Sequence, residues 1–487
     1  MLQWVVVGIL LGIGFVFPWL WLFGLVGVAG CIYLALHARS IKKMIFGGLL
    51  AWTIKSALAL VWFWTAYPMD WLQMDLGYLQ LLLIFVWWGT ASIWLGFGGV
   101  FFVGVCRLLL RYTSLAVTYA TIPFIWIGSE MFGSLVFSII TIGPGGSITT
   151  AFSFGYIGYL LFFSELLIQA ASIYGVYSLG LLLVGIVVSV YSFLQSTTYK
   201  KYGYAFVALF VLISMIPFST QEIDDETYLI AVIDTDYSLQ QLRSVEGRRD
   251  IQEQLEYAMQ EALNLNPDYI LLPEDASYFD QQSSPQLVAA QFSFRTQQSD
   301  VIIVDSGRAD DNQKAVVQSF VYNGKEGVVD QSHKRYLVPQ GEFMPSLYAA
   351  GIKLFGRDEI VDQFAKSVSF EVGSKTEQIN QAQSSPGILF CFESVSPWGV
   401  KTILNERGSV PFIAHPISHS WFNQPESLWS QLTGMLQVQS IWSDQYIVSV
   451  GNEADSQVFT PDGGVTYPEV YLEEDNWQLR LVEIPRN

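Results

Sequence analysis

The chain has 487 residues, of which 52% are hydrophobic, 15% aromatic and only 14% charged, a composition too apolar for an ordinary soluble protein. Its formal net charge is −18, and no basic stripe or cluster of the kind that grips phosphate backbones is present, which excludes a nucleic-acid-binding class. The charge is split: residues 1–219 hold 4 acidic and 8 basic side chains, leaving 39 acidic and 17 basic for 220–487. The passage IPFSTQEIDDET therefore marks a change of solvent from lipid to water, and it divides a membrane domain, 1–219, from a polar domain, 220–487.

A helix needs roughly 20 mainly apolar residues to cross a bilayer. Seven stretches in the first half qualify as spans: 2–17, 18–37, 42–66, 78–109, 115–140, 167–196 and 203–219. Trp19, Trp21, Trp62, Trp64, Tyr67 and Trp71 crowd their ends, as interfacial aromatics do. The N-terminus, MLQWVVV, lacks a basic n-region and is read as a retained span. Basic residues gather in three short loops, Arg39/Lys42/Lys43, Arg107/Arg111 and Lys200/Lys201. Cytoplasmic loops carry such an excess. Seven spans with a cytoplasmic N-terminus put all three loops inside and the polar domain outside. The Gly- and aromatic-rich stretch 150–165 is then interfacial or re-entrant, because an eighth span would move the third basic loop to the wrong side. Lys55, Glu130 and Glu165 lie in or beside spans, where ionisable groups are costly. Each is either part of a functional site or a polar contact between helices or with the interface.

Past Thr227 the pattern changes to short apolar runs alternating with amphipathic stretches. YLIAVID (228–234) reads as a strand, and 249–265 as a helix with Ile251, Leu255, Met259 and Leu263 on one face. DYILLPE follows as a strand, then a helix near 285–297, then the strands VIIVDSG and AVVQSFVYN. Strands and helices in this order predict a layered α/β domain.

Three residues stand at or beyond the ends of strand-like runs: Glu274 in LLPED, Lys334 in HKRYLVPQGEFMP and Cys391 in ILFCFES. Cys391 is the single cysteine of the second half. In an extracytoplasmic domain it has no partner for an internal disulfide, which leaves a core thiol, an intermolecular bridge or a reactive thiol. Alone, Glu274 and Lys334 read as a turn acid and a surface charge. Together the three types suit nucleophilic chemistry. A thiol needs a base such as a carboxylate to take its proton. A lysine ammonium lowers thiol pKa and stabilises an oxyanion, helped by the backbone N–H of the residue after the nucleophile, here Phe392. Glu342 and Glu393 are close in sequence to the lysine and the cysteine, where they orient Lys334, hold a second amine or serve as ordinary turn acids.

The order Glu–Lys–Cys in these settings resembles the nitrilase superfamily. Behind a multi-span bundle it resembles the apolipoprotein N-acyltransferase family, as do VWFWTAYP, IPFIWIGSEMFGS and ASIYGVYSLGLLL in the first half. The resemblance implies an αββα sandwich outside the bacterial cytoplasmic membrane, with Glu274 as base, Lys334 as oxyanion stabiliser, Cys391 as nucleophile, and Glu342 and Glu393 in support. It implies a phospholipid acyl donor and a diacylated lipoprotein acceptor, with no cofactor, and a monomer is expected. The segments 342–357 and 417–430 are candidates for a lid over the acyl chain. Two departures bear on substrate positioning. The family's T-N-D-x-W-F is replaced by Ser418-His419-Ser420-Trp421-Phe422, and the helix that usually carries an arginine reads GMLQVQSIWSDQ. The family also closes on a further span, whereas this sequence ends in NWQLRLVEIPRN. A membrane-tethered amidase using water as acceptor, and a non-catalytic scaffold, are the competing readings. No metal site is expected, since His37, His333, His415 and His419 form no ligand-spaced cluster with cysteine and Pro416 breaks a helical pairing of His415 with His419.

Overall fold

The computed structural model describes residues 1–38, 40–69, 77–195, 226–279, 290, 300–311, 314–368, 370–373, 384–423 and 426–486. Its first part is helical: α1 (Leu2–Val16), α2 (Trp21–His37), α3 (Ile41–Ala59), α4 (Leu79–Tyr112), α5 (Leu115–Ile140), a short α6 (Glu165–Ile168) and α7 (Ala171–Gln195). Four helical segments, Pro18–His37, Leu79–Tyr112, Leu115–Ile140 and Ala171–Leu194, are long and apolar enough to cross a membrane. Small residues let the helices approach closely. A Cβ on Gly99 of α4 would lie 2.2 Å from the Gly48 carbonyl oxygen of α3. No larger residue fits without separating the two helices.

Six of the seven expected spans coincide with these helices, with two interruptions. The third ends at Ala59 and continues as a 3-10 turn, Val61–Ala66, in which Trp62 turns inward and packs edge-on against Phe422 of the polar domain. The sixth is divided into α6 and α7, and α7 itself breaks at Tyr174 and Gly175. Gly175 has φ +58°, and Trp442 presses against it so closely that a Cβ there would come within 2.7 Å of the indole. The seventh span (203–219), the third basic loop and the domain boundary at 219/220 lie outside the described residues, as does the helix expected near 285–297 apart from residue 290.

Residues 151–161 are buried, with a 3-10 turn over Ile157–Leu161, and they wedge between the helices and the polar domain. Hydrogen bonds hold this non-helical backbone on both sides, as any backbone away from water requires. Ser134 Oγ donates to the Phe152 carbonyl, the Ile157 N–H donates to Glu130, and Ser153 Oγ donates to the Val395 carbonyl of the polar domain. Lys55 Nζ meets the same Glu130 oxygen at 2.9 Å, both side chains being buried. Lys55 and Glu130 thus link α3, α5 and the wedge, the helix–helix contact considered for them. Glu165 opens the short α6.

The polar domain is built on a 12-stranded sheet folded on itself. One half comprises β1 (Thr227–Thr235), β2 (Tyr269–Leu271), β3 (Ile302–Asp311), β4 (Lys314–Asn323) and β5 (Gly327–His333), with β11 (Glu469–Glu474) and β12 (Trp477–Pro485) on the far side of β1. The other half comprises β6 (Gly387–Ile388), β7 (Ile413–Ser418), β8 (Ile447–Asn452), β9 (Gln457–Phe459) and β10 (Val465–Thr466). They join where Thr235 of β1 pairs with Asn452 of β8, whose side chain also accepts from Thr235 Oγ1 and the Tyr237 N–H.

Period-two alternation sorts the side chains into layers. Ile230, Val232, Leu271 and Val304 face Ile388, Ala414, Val448 and Val450 across the middle. On one outer face Ala231, Ile233 and Ile303 pack on Ile251, Leu255 and Met259 of the helix Val245–Asn264. On the other, Ile413, Ile447 and Phe459 pack on Val400 and Ile403 of the helix Gly399–Arg407 and on Leu436 of the helix Glu426–Ser443. The order is α, β, β, α, as the family resemblance implied. The helix Glu426–Ser443 has no charged residue after Glu426, because its opposite face (Leu428, Leu432, Met435, Val438, Ile441) belongs to the core of the helical region.

Candidate active site

Glu274, Lys334 and Cys391 leave the ends of three different strands and meet at one pocket. Glu274 follows β2 after Leu272 and Pro273, and Leu272 continues the sheet through an N–H bond to the Val304 carbonyl. The chain then turns through Asp275, at φ +67°, whose carboxylate takes two hydrogen bonds from Arg308, 3.1 and 3.0 Å long. Lys334 follows β5, its N–H bonded to the Val317 carbonyl, and its side chain is only 1% exposed. The Lys334 ammonium donates to Glu274 Oε1 at 2.9 Å and to Glu342 Oε1 at 2.7 Å. Glu342 is presented by a tight loop that it closes itself: its Oε2 accepts from the Val338 N–H at 2.7 Å, and its own N–H donates to the Val338 carbonyl.

Cys391 begins a 3-10 turn, Cys391–Val395, after Leu389 and Phe390 lead out of β6. The half-buried thiol receives the Ser418 backbone N–H. The Cys391 carbonyl is gripped by Ser394 Oγ at 2.6 Å and His415 Nε2 at 3.3 Å. A carbonyl only accepts, so Nε2 carries the proton, and burial holds the His415 pKa down at about 3, which keeps the ring neutral. Glu393 does not hold an amine: its two oxygens accept from the backbone N–H groups of Arg335 (2.6 Å) and Phe390 (3.0 Å). This ties the lysine loop to the cysteine turn. Phe392, the residue after the cysteine, sends its ring toward Phe152 of the wedge.

Electrostatics divide the labour between these groups. Burial lifts the Glu274 pKa to about 7, with Glu342 adding to the rise and Lys334 opposing it. Burial alone would lower Lys334, but Glu274 and Glu342 hold it well above its ordinary value. Burial and the neighbouring Glu274 push the Cys391 thiol up, so its resting form is the protonated thiol. A carboxylate that titrates near neutrality beside a protonated thiol is matched to proton exchange with it.

The pocket holds about 700 Å³ of empty space, part of it open to solvent. Its polar floor is Glu274, Lys334, Glu342 and Cys391, and its apolar wall includes Trp62, Phe63, Ile84 and Trp87 from the helical region with Trp421 and Phe422 from the loop after β7. The sequence alone points to only part of that wall. Trp421 and Phe422 belong to the segment flagged as a lid, whereas the other four are aromatic and apolar residues in a region full of them. The Arg308 guanidinium, 4.9 Å from the Phe370 ring and 5.9 Å from that of Trp421, links the Asp275 turn to this wall. The glutamines that stand where an arginine was expected are structural. Gln439 donates to the Ser394 carbonyl and accepts from the Val400 N–H, bracing the cysteine turn, while Gln437 donates to the Gly463 carbonyl.

Among the described residues no group of three His, Cys, Asp or Glu side chains is arranged to hold a metal ion. The chain matches no family model and no curated protein. Its polar half is similar in fold to solved structures of low identity. Nit3 from Saccharomyces cerevisiae, a nitrilase superfamily member, is 13% identical over 55% of this chain and 93% of its own, with a TM-score of 0.38. A CN-hydrolase superfamily protein from Xanthomonas campestris is 14% identical over 54% of this chain and 91% of its own, with a TM-score of 0.34. Glutamine-dependent NAD+ synthetase from Acinetobacter baumannii is 13% identical over 54% of this chain and 46% of its own, with a TM-score of 0.36.

Proposed function

We propose that the protein is a membrane acyltransferase that moves a fatty acyl chain from a phospholipid, through a thioester on Cys391, to the N-terminal amine of a diacylglyceryl-cysteine lipoprotein. The observation that carries this reading is the composition of one pocket: Cys391, Glu274, Lys334 and Glu342 share it with Trp62, Phe63, Ile84 and Trp87 from the apolar helices. A water-soluble amide needs no such wall, whereas an acyl chain entering from a bilayer does. Four helices long and apolar enough to cross a membrane support this reading, in which the membrane is the bacterial cytoplasmic one and the sandwich lies on its outer side.

In this mechanism Glu274, ionised above about pH 7, takes the Cys391 proton, and sulfur attacks the ester carbonyl. Lys334 and the Phe392 N–H stabilise the oxyanion. Its collapse expels the lysophospholipid alkoxide, which takes the proton from Glu274 and leaves the acyl thioester. The acceptor amine then attacks the thioester and passes a proton to Glu274, and the departing thiolate recovers it. Confinement of both lipids to one leaflet raises their effective concentration at the thiol. Intact-mass spectrometry after incubation with phospholipid tests the first half. A hydroxylamine-labile adduct of one acyl chain, absent in Cys391→Ala, is expected. A thiol that small electrophiles modify but phospholipid leaves bare would overturn the reading in favour of a soluble-substrate amidase.

A further inference from the structure

The side chain of Glu274 is held by little of its own. Among the described residues its carboxylate accepts one hydrogen bond, from Lys334, which it shares with Glu342. A single contact leaves a carboxylate room to swing, so the aim of Glu274 depends on its backbone. That backbone is held from one side by β3. The Leu272 N–H donates to the Val304 carbonyl, the Ser277 N–H to the Ser306 carbonyl, and the Tyr278 and Phe279 N–H groups to the Asp305 carboxylate at 3.1 and 2.9 Å. Between these ties stands Asp275, at φ +67°, a left-handed conformation that a non-glycine residue keeps only when its surroundings hold it there. Arg308, two residues past Ser306 on β3, supplies that hold: its Nε and Nη2 donate to the two Asp275 oxygens at 3.1 and 3.0 Å.

Arg308 is itself fixed in place. Its guanidinium lies between the Phe370 ring and that of Trp421, which lines the thiol pocket. Planar two-point pairing sets the direction of the Asp275 carboxylate as well as its distance, which one contact does not. The charges around the turn are also accounted for. Glu274 faces Lys334, Glu342, Asp275 and the Cys391 thiol. Asp275 faces Arg308, Lys334 and Arg248 of the helix Val245–Asn264, whose Nη1 approaches the Asp275 carbonyl at 3.4 Å. Arg308 in turn faces Asp275, Glu342, Glu274 and Arg248. Burial opposes ionisation of Asp275, but Arg308 outweighs it and, with Arg248 and Lys334, holds the carboxyl below its ordinary pKa. Asp275 is therefore charged, and its charge adds to the rise of Glu274. Arg308 balances that charge, so losing one member of the pair changes the field at the base, and losing both nearly restores it.

We propose that Arg308 and Asp275 are positioning residues for the thiol chemistry: Arg308 grips Asp275, and Asp275 locks the turn that keeps the Glu274 carboxylate in the pocket with Cys391. The inference rests on the proposed function for Glu274 as the base of a reactive thiol, but not for the lipid donor. The test is the rate of Cys391 alkylation by iodoacetamide against pH, on the full-length protein in detergent. Its plateau reports the aim of the base, and its rising limb reports the pKa. Arg308→Met should lower the plateau ~10-fold and move the limb up by about one pH unit, because the unbalanced Asp275 charge disfavours ionised Glu274. Asp275→Asn should lower the plateau similarly and move the limb down by about one unit, since Arg308 then acts on Glu274 unopposed. The two changes combined should return the limb to near pH 7 with the plateau still low. Arg308→Lys, which keeps the charge, should leave the limb in place and recover most of the plateau. If Arg308→Met does not fold, the downward limb of Asp275→Asn decides alone. A native plateau and limb in the single variants would overturn the proposal, as would a low plateau with an unshifted limb in both, the mark of a merely structural pair. The expected shifts in a protein that phospholipid does not acylate would keep the pair and defeat the acyltransferase. Acylation by phospholipid in Arg308→Met at the native rate and with the native limb would defeat the pair and leave the acyltransferase standing.

Discussion

Replacing Glu342 by Gln separates the electrostatic role of that residue from its structural one. Glu274 and Glu342 each contact the Lys334 ammonium, at 2.9 and 2.7 Å, so the contacting oxygens lie no more than about 5.6 Å apart. Two unit charges at that separation repel by about 3 kcal/mol at an effective dielectric constant near 20, and by about half that in a pocket open to water. Glutamine removes the charge but keeps an oxygen for Lys334 or the Val338 N–H. With less repulsion, the Glu274 carboxyl should titrate at roughly pH 5–6. The sign follows from the role of the base: the competent form of Glu274 is the ionised one, so thiol reactivity rises as pH passes its pKa. The assay is the rate of Cys391 alkylation by iodoacetamide as a function of pH. It reports one site, because Cys31 and Cys106 are fully buried. In the native protein the rate should climb through pH 7; in Glu342→Gln the same limb should appear at lower pH; in Glu342→Asp, which keeps the charge, it should stay near 7. A limb that stays at 7 in the glutamine variant, or moves upward, would refute the coupling of the two carboxylates through Lys334.

Variants of Glu393 test how the site is held, and variants of Lys55 and Glu130 how the wedge is held. Glu393→Ala strips the acceptors from the Arg335 and Phe390 N–H groups and should cost about 2–5 kcal/mol, read as a fall in Tm, whereas Glu393→Gln, which keeps one oxygen, should cost about half as much. Equal Tm for all three proteins would remove Glu393 from the structural account. In the helical region Lys55→Met leaves Glu130 buried without its partner and should destabilise by about 3–5 kcal/mol, while Lys55→Met with Glu130→Leu should recover most of that loss, measured by unfolding in detergent. Failure of the double variant to recover would indicate that the Ile157 N–H bond to Glu130, not the ion pair, secures the wedge.

The sequence is most legible where composition changes sharply. The acidic excess beyond residue 219 and the alternation of Ile230, Val232 and their neighbours announce an apolar helical region followed by a layered α/β domain, because lipid and sheet each impose a strong pattern. Glu274, Lys334 and Cys391 could be singled out because each follows a strand-like run, and strands of one sheet bring their ends to one edge. The break after Ala59 is not legible in the sequence, since Val61–Ala66 is as apolar as the helix before it and its Trp62 packs on residues distant in the chain, Phe154 and Phe422. Glu393 keeps several readings open in the sequence for a related reason: a carboxylate that satisfies backbone N–H groups has the same sequence signature as one that meets an amine.

The helix Glu426–Ser443 lies between two bodies synthesised at different times. Its inner face completes the sandwich, and its outer face, with Trp398 and Trp442, lies against α7 at Tyr174 and Gly175. The ribosome makes the apolar helices first, so the receiving surface exists before the helix that covers it emerges. The sandwich therefore matures on a template already in place. Expressed without that template, the second half would expose Leu428, Leu432, Met435, Val438 and Ile441 as one continuous sticky face, and it should clump on emergence rather than stay dispersed.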